Sequence, residues 1–491
     1  MKKQVVIIGA GFAGLSAACH LAKRGFGVTV LEKNSTPGGR ARKFYADGFM
    51  FDMGPSWYWM PDVFESFFAH FGKKPSDYYD LVRLDPSYRV YFGKDNFLDM
   101  SAKFEEMVQM FERIEPGSGQ KLIKFMDEAR YKYEVGINDL VHKPGRSILE
   151  LVDMRIAKGM FNLHLLSSMK SYVRKYFKDE RLIQLMEFPV LFLGAMPKDT
   201  PALYSLMNYA DIGLGTWYPM GGMNKIVEGM VKVAKELGVK IVTDAEVERI
   251  VIEQKRVKEV VTKDKRNFEA DVLIGGADYH HVEQQLLPAE GRKYSPKYWD
   301  SRKLAPGSLI YYVGVNKKLS GLLHHNLFFD ESLDAHAVEI YEKPKWPEKP
   351  LFYVCCTSKT DPDAAPEGME NLFILIPTAT DLPEDEDVRE HYFSVVMDRM
   401  EALTGQSIRE HVVYNRSYAH REFMEDYHSY KGNAYGLANT LSQTANLKPS
   451  LKNNKLTNLY FTGQLTTPGP GVPPALISGE VVAKEITKDH A

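Results

Sequence analysis

Cysteine is nearly absent: Cys19, Cys355 and Cys356 are the only three in 491 residues. An adjacent pair plus a lone thiol is no disulfide framework, so a reducing compartment, the cytoplasm, is expected. An excess of one charge is lacking too, with 62 Lys and Arg against 64 Asp and Glu and a net charge of −2. Nothing electrostatic therefore calls for nucleic acid as a partner. Outside Val5–Ala22 there is no uninterrupted run of 18 apolar residues, and no membrane-spanning helix is expected. That run follows Lys2-Lys3 and imitates a secretory signal, but it holds three glycines at fixed spacing and leads to Glu32, which cleavage would strand. Signatures of metal and hydrolase chemistry are missing: no His-Glu-x-x-His, no Cys pair at metal spacing and no Gly-x-Ser-x-Gly. His280-His281 and His324-His325 are adjacent pairs whose side chains would diverge on a strand, so structural or surface roles are expected and no metal site.

What is present is an ordinary globular composition, 44% hydrophobic and 26% charged, over a length that predicts two domains rather than one core. The chain opens with Gly9-x-Gly11-x-x-Gly14 between a buried strand, Gln4 to Ile8, and a helix carrying Leu15, Ala18 and Leu21 and ended by Gly25. Val28 to Leu31 then reads as a second strand, finished by Glu32. In such a unit the first glycine makes the tight turn, the second lets the backbone approach a pyrophosphate, and the third brings helix and strand together. The helix N-terminus supplies free N–H groups and partial positive charge. Glu32, 18 positions beyond Gly14, suits ribose hydroxyls and would repel a 2′-phosphate, which favours FAD or NAD over NADP.

The segment Pro37-Gly38-Gly39-Arg40-Ala41-Arg42 decides between those two, because Arg40 is placed to meet the pyrophosphate with paired N–H donors. Nicotinamide dehydrogenases lack this segment as a rule, so FAD is the expected cofactor. No second Gly-x-Gly-x-x-Gly follows, which leaves no evident nicotinamide site to reduce the flavin. At the far end, Gly463 to Ile477 reads as a Gly/Pro-rich turn running into a helix near Pro474, with Gly469 and Gly471 allowing close approach to the flavin.

Between the ends, about Asp85 to Ala210 reads as helical, Lys225 to Leu237 as an amphipathic helix, Lys240 to Asn267 as strands, and Asp271 to Asp278 as a buried strand returning to the nucleotide sheet. A discontinuous cofactor domain follows, about 1–85, 215–285 and 430–491, with a substrate domain inserted as 86–214 and 286–429. Met160 to Leu193 sets Leu163, Leu165, Leu166, Met169, Val173 and Phe177 among Lys170, Arg174, Lys175, Lys178 and Arg181. Such a pattern suits an anionic bilayer surface or, equally, a soluble helix with one face in the core. Phe188 to Leu193 is too short to span a membrane and is expected to enter the lipid or line the access path.

Phe49 to Ser56, the Gly-Gly-Arg loop, the Gly221-Gly222-Met223 turn and the close from Leu459 through Pro473 together resemble bacterial phytoene-desaturase-type carotenoid desaturases, over essentially the whole chain. The resemblance implies an α/β fold: a Rossmann-like FAD domain of the two-dinucleotide-binding-domain, amine-oxidase-like kind, carrying an inserted α+β substrate and membrane domain. It implies FAD, a long apolar polyene, attachment to the inner face of the cell membrane, and oxygen or a quinone as electron acceptor. The implied reaction is hydride loss from an allylic carbon to flavin N5 followed by proton loss, taking phytoene toward lycopene. The expected cofactor residues are Gly9, Gly11, Gly14, Glu32, Gly39, Arg40, Gly54, Pro55, Ser56, Val247, Gly463, Gly471 and Val472. Trp57, Tyr58, Trp59 and Met60 are candidates for the substrate channel, and Asp52 is a catalytic candidate by position only. Other readings are a C30 or hydroxylated carotenoid as substrate, a redox-neutral isomerase or a saturase, an amine or protoporphyrinogen oxidase, and a non-catalytic prenyl-binding escort.

Overall fold

The computed structural model describes residues 2–145, 167–440 and 443–490. Its first sheet is five-stranded and parallel, in the order Leu459–Phe461, Val272–Gly275, Gln4–Ile8, Gly27–Leu31, Lys240–Val242. The central strands are continuous apolar runs because both faces of this parallel sheet are covered: Val5, Ile7, Val28 and Val30 pack on helices, and Val6, Ile8 and Leu273 pack on Val247, Ile250, Val257 and Val260 of an antiparallel sheet. The opening helix, Phe12–Lys23, is buried at ten of its twelve positions. It lies against the C-terminal helix Val472–His490, and the two are close because of glycine: a Cβ on Gly479 would stand 2.4 Å from the Ala13 carbonyl oxygen. A three-stranded antiparallel sheet, Val247–Glu253, Arg256–Thr262 and Asn267–Glu269, hangs beside this unit.

The second large sheet has seven strands in the order Val412–Tyr418, Gly307–Val315, Glu370–Thr378, Phe352–Cys355, His325–Phe328, Tyr88–Gly93, Asn96–Met100. All pairs are antiparallel except His325–Phe328 with Tyr88–Gly93. One face, with Leu309, Tyr311, Val313 and Ile374, packs on Val396, Met397 and Met400 of the helix Glu386–Thr404. The opposite face, with Ile310, Tyr312, Leu327, Tyr353 and Phe373, joins the core that runs on into the nucleotide unit. A cavity lies between that face and the parallel sheet.

The segment after Asp85 is not helical throughout. Tyr88–Gly93 and Asn96–Met100 form a hairpin, since Tyr88, Val90 and Met100 alternate inward as a half-buried ribbon requires. The helices Phe104–Ile114 and Ser118–Val135 follow. In the basic amphipathic stretch, Leu163, Leu165 and Leu166 lie outside the described residues. The rest turns its apolar side inward: Met169, Tyr172, Val173 and Phe177 are buried. Lys170 pairs with Asp334 at 2.6 Å, Arg174 with Glu180 at 3.0 Å and Arg181 with Asp179 at 2.9 Å. That is the pattern of two short helices, Met169–Val173 and Glu180–Glu187, seated on a core, with part of their charge spent within the protein.

Candidate functional site

The opening turn is built by its glycines. Gly9 has φ 99° and donates to the Leu31 carbonyl at 2.7 Å, while a Cβ on Gly14 would lie 2.1 Å from the Gly9 oxygen. Gly14 therefore serves the close contact of helix and turn and does not line the cavity. Gly11 does, and a Cβ there would meet no protein atom within 4 Å. The backbone faces open space at the N-terminus of the Phe12 helix, as anion binding needs. Glu32 is buried, its Oε2 accepting from Ala10 N at 2.8 Å and its Oε1 from Asn34 N at 2.9 Å. Asn34 Nδ2 also donates to Oε1, at 3.0 Å, and since a carboxylate has about four acceptor positions, one remains on Oε2 for a ribose hydroxyl.

Gly39 packs on the same turn, its Cβ position 3.3 Å from the Gly11 Cα. Arg40 next to it donates from Nη2 to Ser429 Oγ at 3.0 Å and to the Asn433 oxygen at 3.4 Å, with the Tyr427 ring 5.1 Å below its guanidinium. Its Nε is buried without a protein partner. Burial lowers the pKa of Arg40, and the carboxylate of Asp278 opposes that shift. A half-buried guanidinium with an unspent donor edge is what a pyrophosphate requires.

Gly54 must be glycine because a Cβ would come within 2.8 Å of the Arg40 oxygen. Pro55 and Ser56 then run along the cavity wall, as do Val247, Gly463 (φ 114°), Gly471 (φ 109°) and Val472 from the other elements. Gly463 N donates to Ser478 Oγ of the C-terminal helix at 3.0 Å. One cavity of about 460 Å³ thus collects every expected cofactor residue except Gly14. Beyond the cradle its wall is apolar, with Phe188, Leu191, Leu327, Phe329, Leu333 and Ile340.

Of the aromatic block, Trp57, Trp59 and Met60 line the cavity, and Tyr58 does not. Tyr58 is fully buried, stacked on Phe64 at 4.3 Å with its hydroxyl 2.9 Å from that of Tyr79, because alternate residues of an extended segment face opposite ways. Asp52 is likewise turned away. Its carboxylate accepts from Met223 N at 2.8 Å and Asn224 N at 3.2 Å, capping the helix Asn224–Glu236, and burial pushes its pKa up to about 6. Phe188 and Leu191 line the cavity.

Sequence reasoning missed the partners supplied from afar, Asp278, Tyr427, His428 and Ser429. Asp278 had a local signal, as an acid directly after a strand of the nucleotide sheet; it caps the next turn, accepting from His281 N at 3.2 Å. The expected divergence of His324 and His325 is not what the structure shows. His324 precedes its strand, so alternation does not apply to it, and the two buried rings lie 4.5 Å apart.

Residues 12–487 match the family of flavin-containing amine oxidoreductases. Along its whole length the chain is 42% identical to a carotenoid 3,4-desaturase of Haloarcula japonica, covering 99% of that protein. It is 32% identical over all of its residues to a zeta-carotene-forming phytoene desaturase of Myxococcus xanthus, covering 95% of it. The chain belongs to the flavin-containing amine oxidoreductase family, among the desaturases of phytoene-desaturase type. An oxidoreductase of Methanosarcina mazei shares the fold at TM-score 0.63 and 19% identity, over 98% of this chain and 100% of that one. FAD is the cofactor of this flavoenzyme, and the cradle fits it: the open space at Gly11 and the unpartnered Arg40 Nε lie on the wall the dinucleotide would occupy.

Proposed function

We propose that this chain desaturates a carotenoid, removing hydrogen from a saturated carbon–carbon bond flanked by double bonds. One observation carries the reading: the dinucleotide cradle and a long apolar wall belong to a single cavity. FAD, when bound, supplies the hydride acceptor at N5. The chain's own part is positional, since Trp57, Trp59, Phe188 and Leu327 exclude water and hold a polyene against the cofactor end. Orientation of that kind is worth about 7 kcal/mol or more in favourable cases, so no strong general base is obligatory. This agrees with the Asp52 carboxylate being committed to a helix N-terminus.

The 42% identical relative is named for the 3,4 bond, and we take that bond, near the end of an acyclic polyene, as the favoured target. Phytoene carried toward lycopene is the second reading, favoured by the zeta-carotene-forming relative. We propose that the protein works at the inner face of the cell membrane, where a water-insoluble substrate would dissolve, with oxygen or a membrane quinone as acceptor. Among the described residues no helix is long and apolar enough to cross a membrane, so contact with lipid would be peripheral.

The test is anaerobic incubation of FAD-loaded protein with lycopene or phytoene in liposomes, following flavin bleaching and extracted pigments. Bleaching with a red-shifted lycopene product supports the 3,4 reading; bleaching with phytoene alone selects the second. A flavin that stays oxidised with both leaves a C30 or hydroxylated carotenoid, or a redox-neutral isomerase, to be tried in turn. Turnover of amines or protoporphyrinogen instead would overturn the proposal.

A further inference from the structure

The sheet that walls the cavity carries a buried cluster of metal-ligating side chains that neither the cofactor nor the polyene uses. His325 and Cys355 are directly opposed on neighbouring antiparallel strands and so share a face, and His324 stands just before the same strand. One ring nitrogen of each histidine and the Cys355 Sγ all lie within 4.8 Å of one another, and all three residues are buried. His324 Nδ1 is 2.7 Å from Thr360 Oγ1, and His325 Nδ1 is 2.6 Å from the Tyr353 hydroxyl. Tyr353 donates its own proton to Ser56 Oγ at 2.9 Å, so at His325 it accepts, which puts the ring proton on Nδ1. The Nε2 atoms of both histidines are buried and have no partner.

These are the features of an imidazole prepared for a metal: one nitrogen held by an outer hydrogen bond that fixes the tautomer and orientation, the other left as a free lone pair. Two bare nitrogens side by side in an apolar interior are otherwise a cost to folding. We propose that His324, His325 and Cys355 form a binding site for a soft monovalent ion, Cu(I). Thiolate and imidazole together select copper or zinc. The set offers three ligands and no carboxylate, and a single thiolate neutralises Cu(I), whereas zinc would prefer a fourth ligand and leave a buried positive charge. With metal–ligand bonds of about 2.0–2.3 Å, trigonal ligands stand about 3.5–3.8 Å apart, so the cluster closes by about 1 Å at its widest. Binding releases the Cys355 thiol proton and changes no oxidation state. The ion would fix His325, on which Trp57 stacks at 4.1 Å, and through it one wall of the cavity.

The test uses the FAD-loaded full chain under anaerobic conditions, titrated with Cu(I) buffered by bicinchoninate, with copper per chain read by mass spectrometry. One equivalent is expected. Cys355→Ser and His325→Gln should each weaken binding at least 100-fold, whereas Cys19→Ser should leave it unchanged. Should Cys355→Ser lose its flavin or its thermal transition, His324→Gln gives the same reading. No uptake by the wild type, or uptake by the Cys355 and His324 variants equal to that of the wild type, overturns the site. Preference for zinc at equal free concentration overturns the assignment to a monovalent ion.

Discussion

Arg40 is the sharpest point at which to test the cradle. Its guanidinium offers five donors, and the protein takes up those of Nη2 through Ser429 and Asn433 while Nε has none. If Arg40 holds the pyrophosphate as expected, cutting the side chain to alanine removes a charge-assisted contact to it. Truncating one partner of a buried charged pair costs about 2–5 kcal/mol. At about 3 kcal/mol the Kd for FAD rises about 150-fold. The same loss appears in stability. At a free FAD concentration of 100 times the wild-type Kd, binding stabilises the wild type by about 2.7 kcal/mol, and Arg40→Ala by only about 0.3 kcal/mol. Arg40→Lys keeps the charge but not the fork and should fall between, about tenfold weaker. Apoprotein titrated with FAD, followed by quenching of flavin fluorescence and by the shift in Tm, measures both effects. An Arg40→Ala protein that folds and binds FAD within threefold of wild type would refute the reasoning.

Three further outcomes are expected. Gly479→Ala would place a Cβ 2.4 Å from the Ala13 oxygen and 2.7 Å from Ala17 N; overpacking of this kind costs about 1–3 kcal/mol, so Tm should fall and FAD leak more readily, and an unchanged Tm would contradict the close packing. Trp57→Ala should leave FAD affinity within about threefold while kcat/KM for the polyene falls tenfold or more, and equal loss of both would place Trp57 in the cradle rather than the channel. Asp211, accepting from the Tyr88 hydroxyl at 2.7 Å, has its pKa raised to about 7 by burial. A raised carboxyl pKa favours folding below about pH 4 and loses that contribution as pH rises through 7, on the order of 4 kcal/mol in all. Asp211→Asn should therefore gain on the wild type in Tm between pH 5 and pH 8, and parallel curves would count against the buried carboxyl.

The parts legible in the sequence are those whose geometry is set within a few residues. Gly9, Gly11 and Gly14 report a turn, a close approach and a helix contact by spacing alone, and Gly-Gly-Arg and the closing glycines act the same way. What escaped is whatever depends on which strand lies beside which. His325–Phe328 pairs in parallel with Tyr88–Gly93 across more than two hundred intervening residues, and no local pattern announces it. That pairing brings the hairpin to the edge of the wall and makes a strand segment of what reads as helix. The role of Asp52 is hidden for the same reason, since its partners Met223 and Asn224 are far along the chain. Tyr58 was a different failure, because residue type put it with its aromatic neighbours while backbone alternation turned it into the core.

The nucleotide unit and the seven-stranded sheet meet at Ser56 and Trp57. From the cofactor side, the contact of Gly54 with the Arg40 oxygen fixes where this segment leaves the cradle. From the substrate side, Tyr353 of the seven-stranded sheet donates to Ser56 Oγ and His325 stacks on Trp57. The aromatic wall is thereby indexed to the cradle from both directions, and under the proposed function a shift of the sheet would move the polyene relative to the flavin.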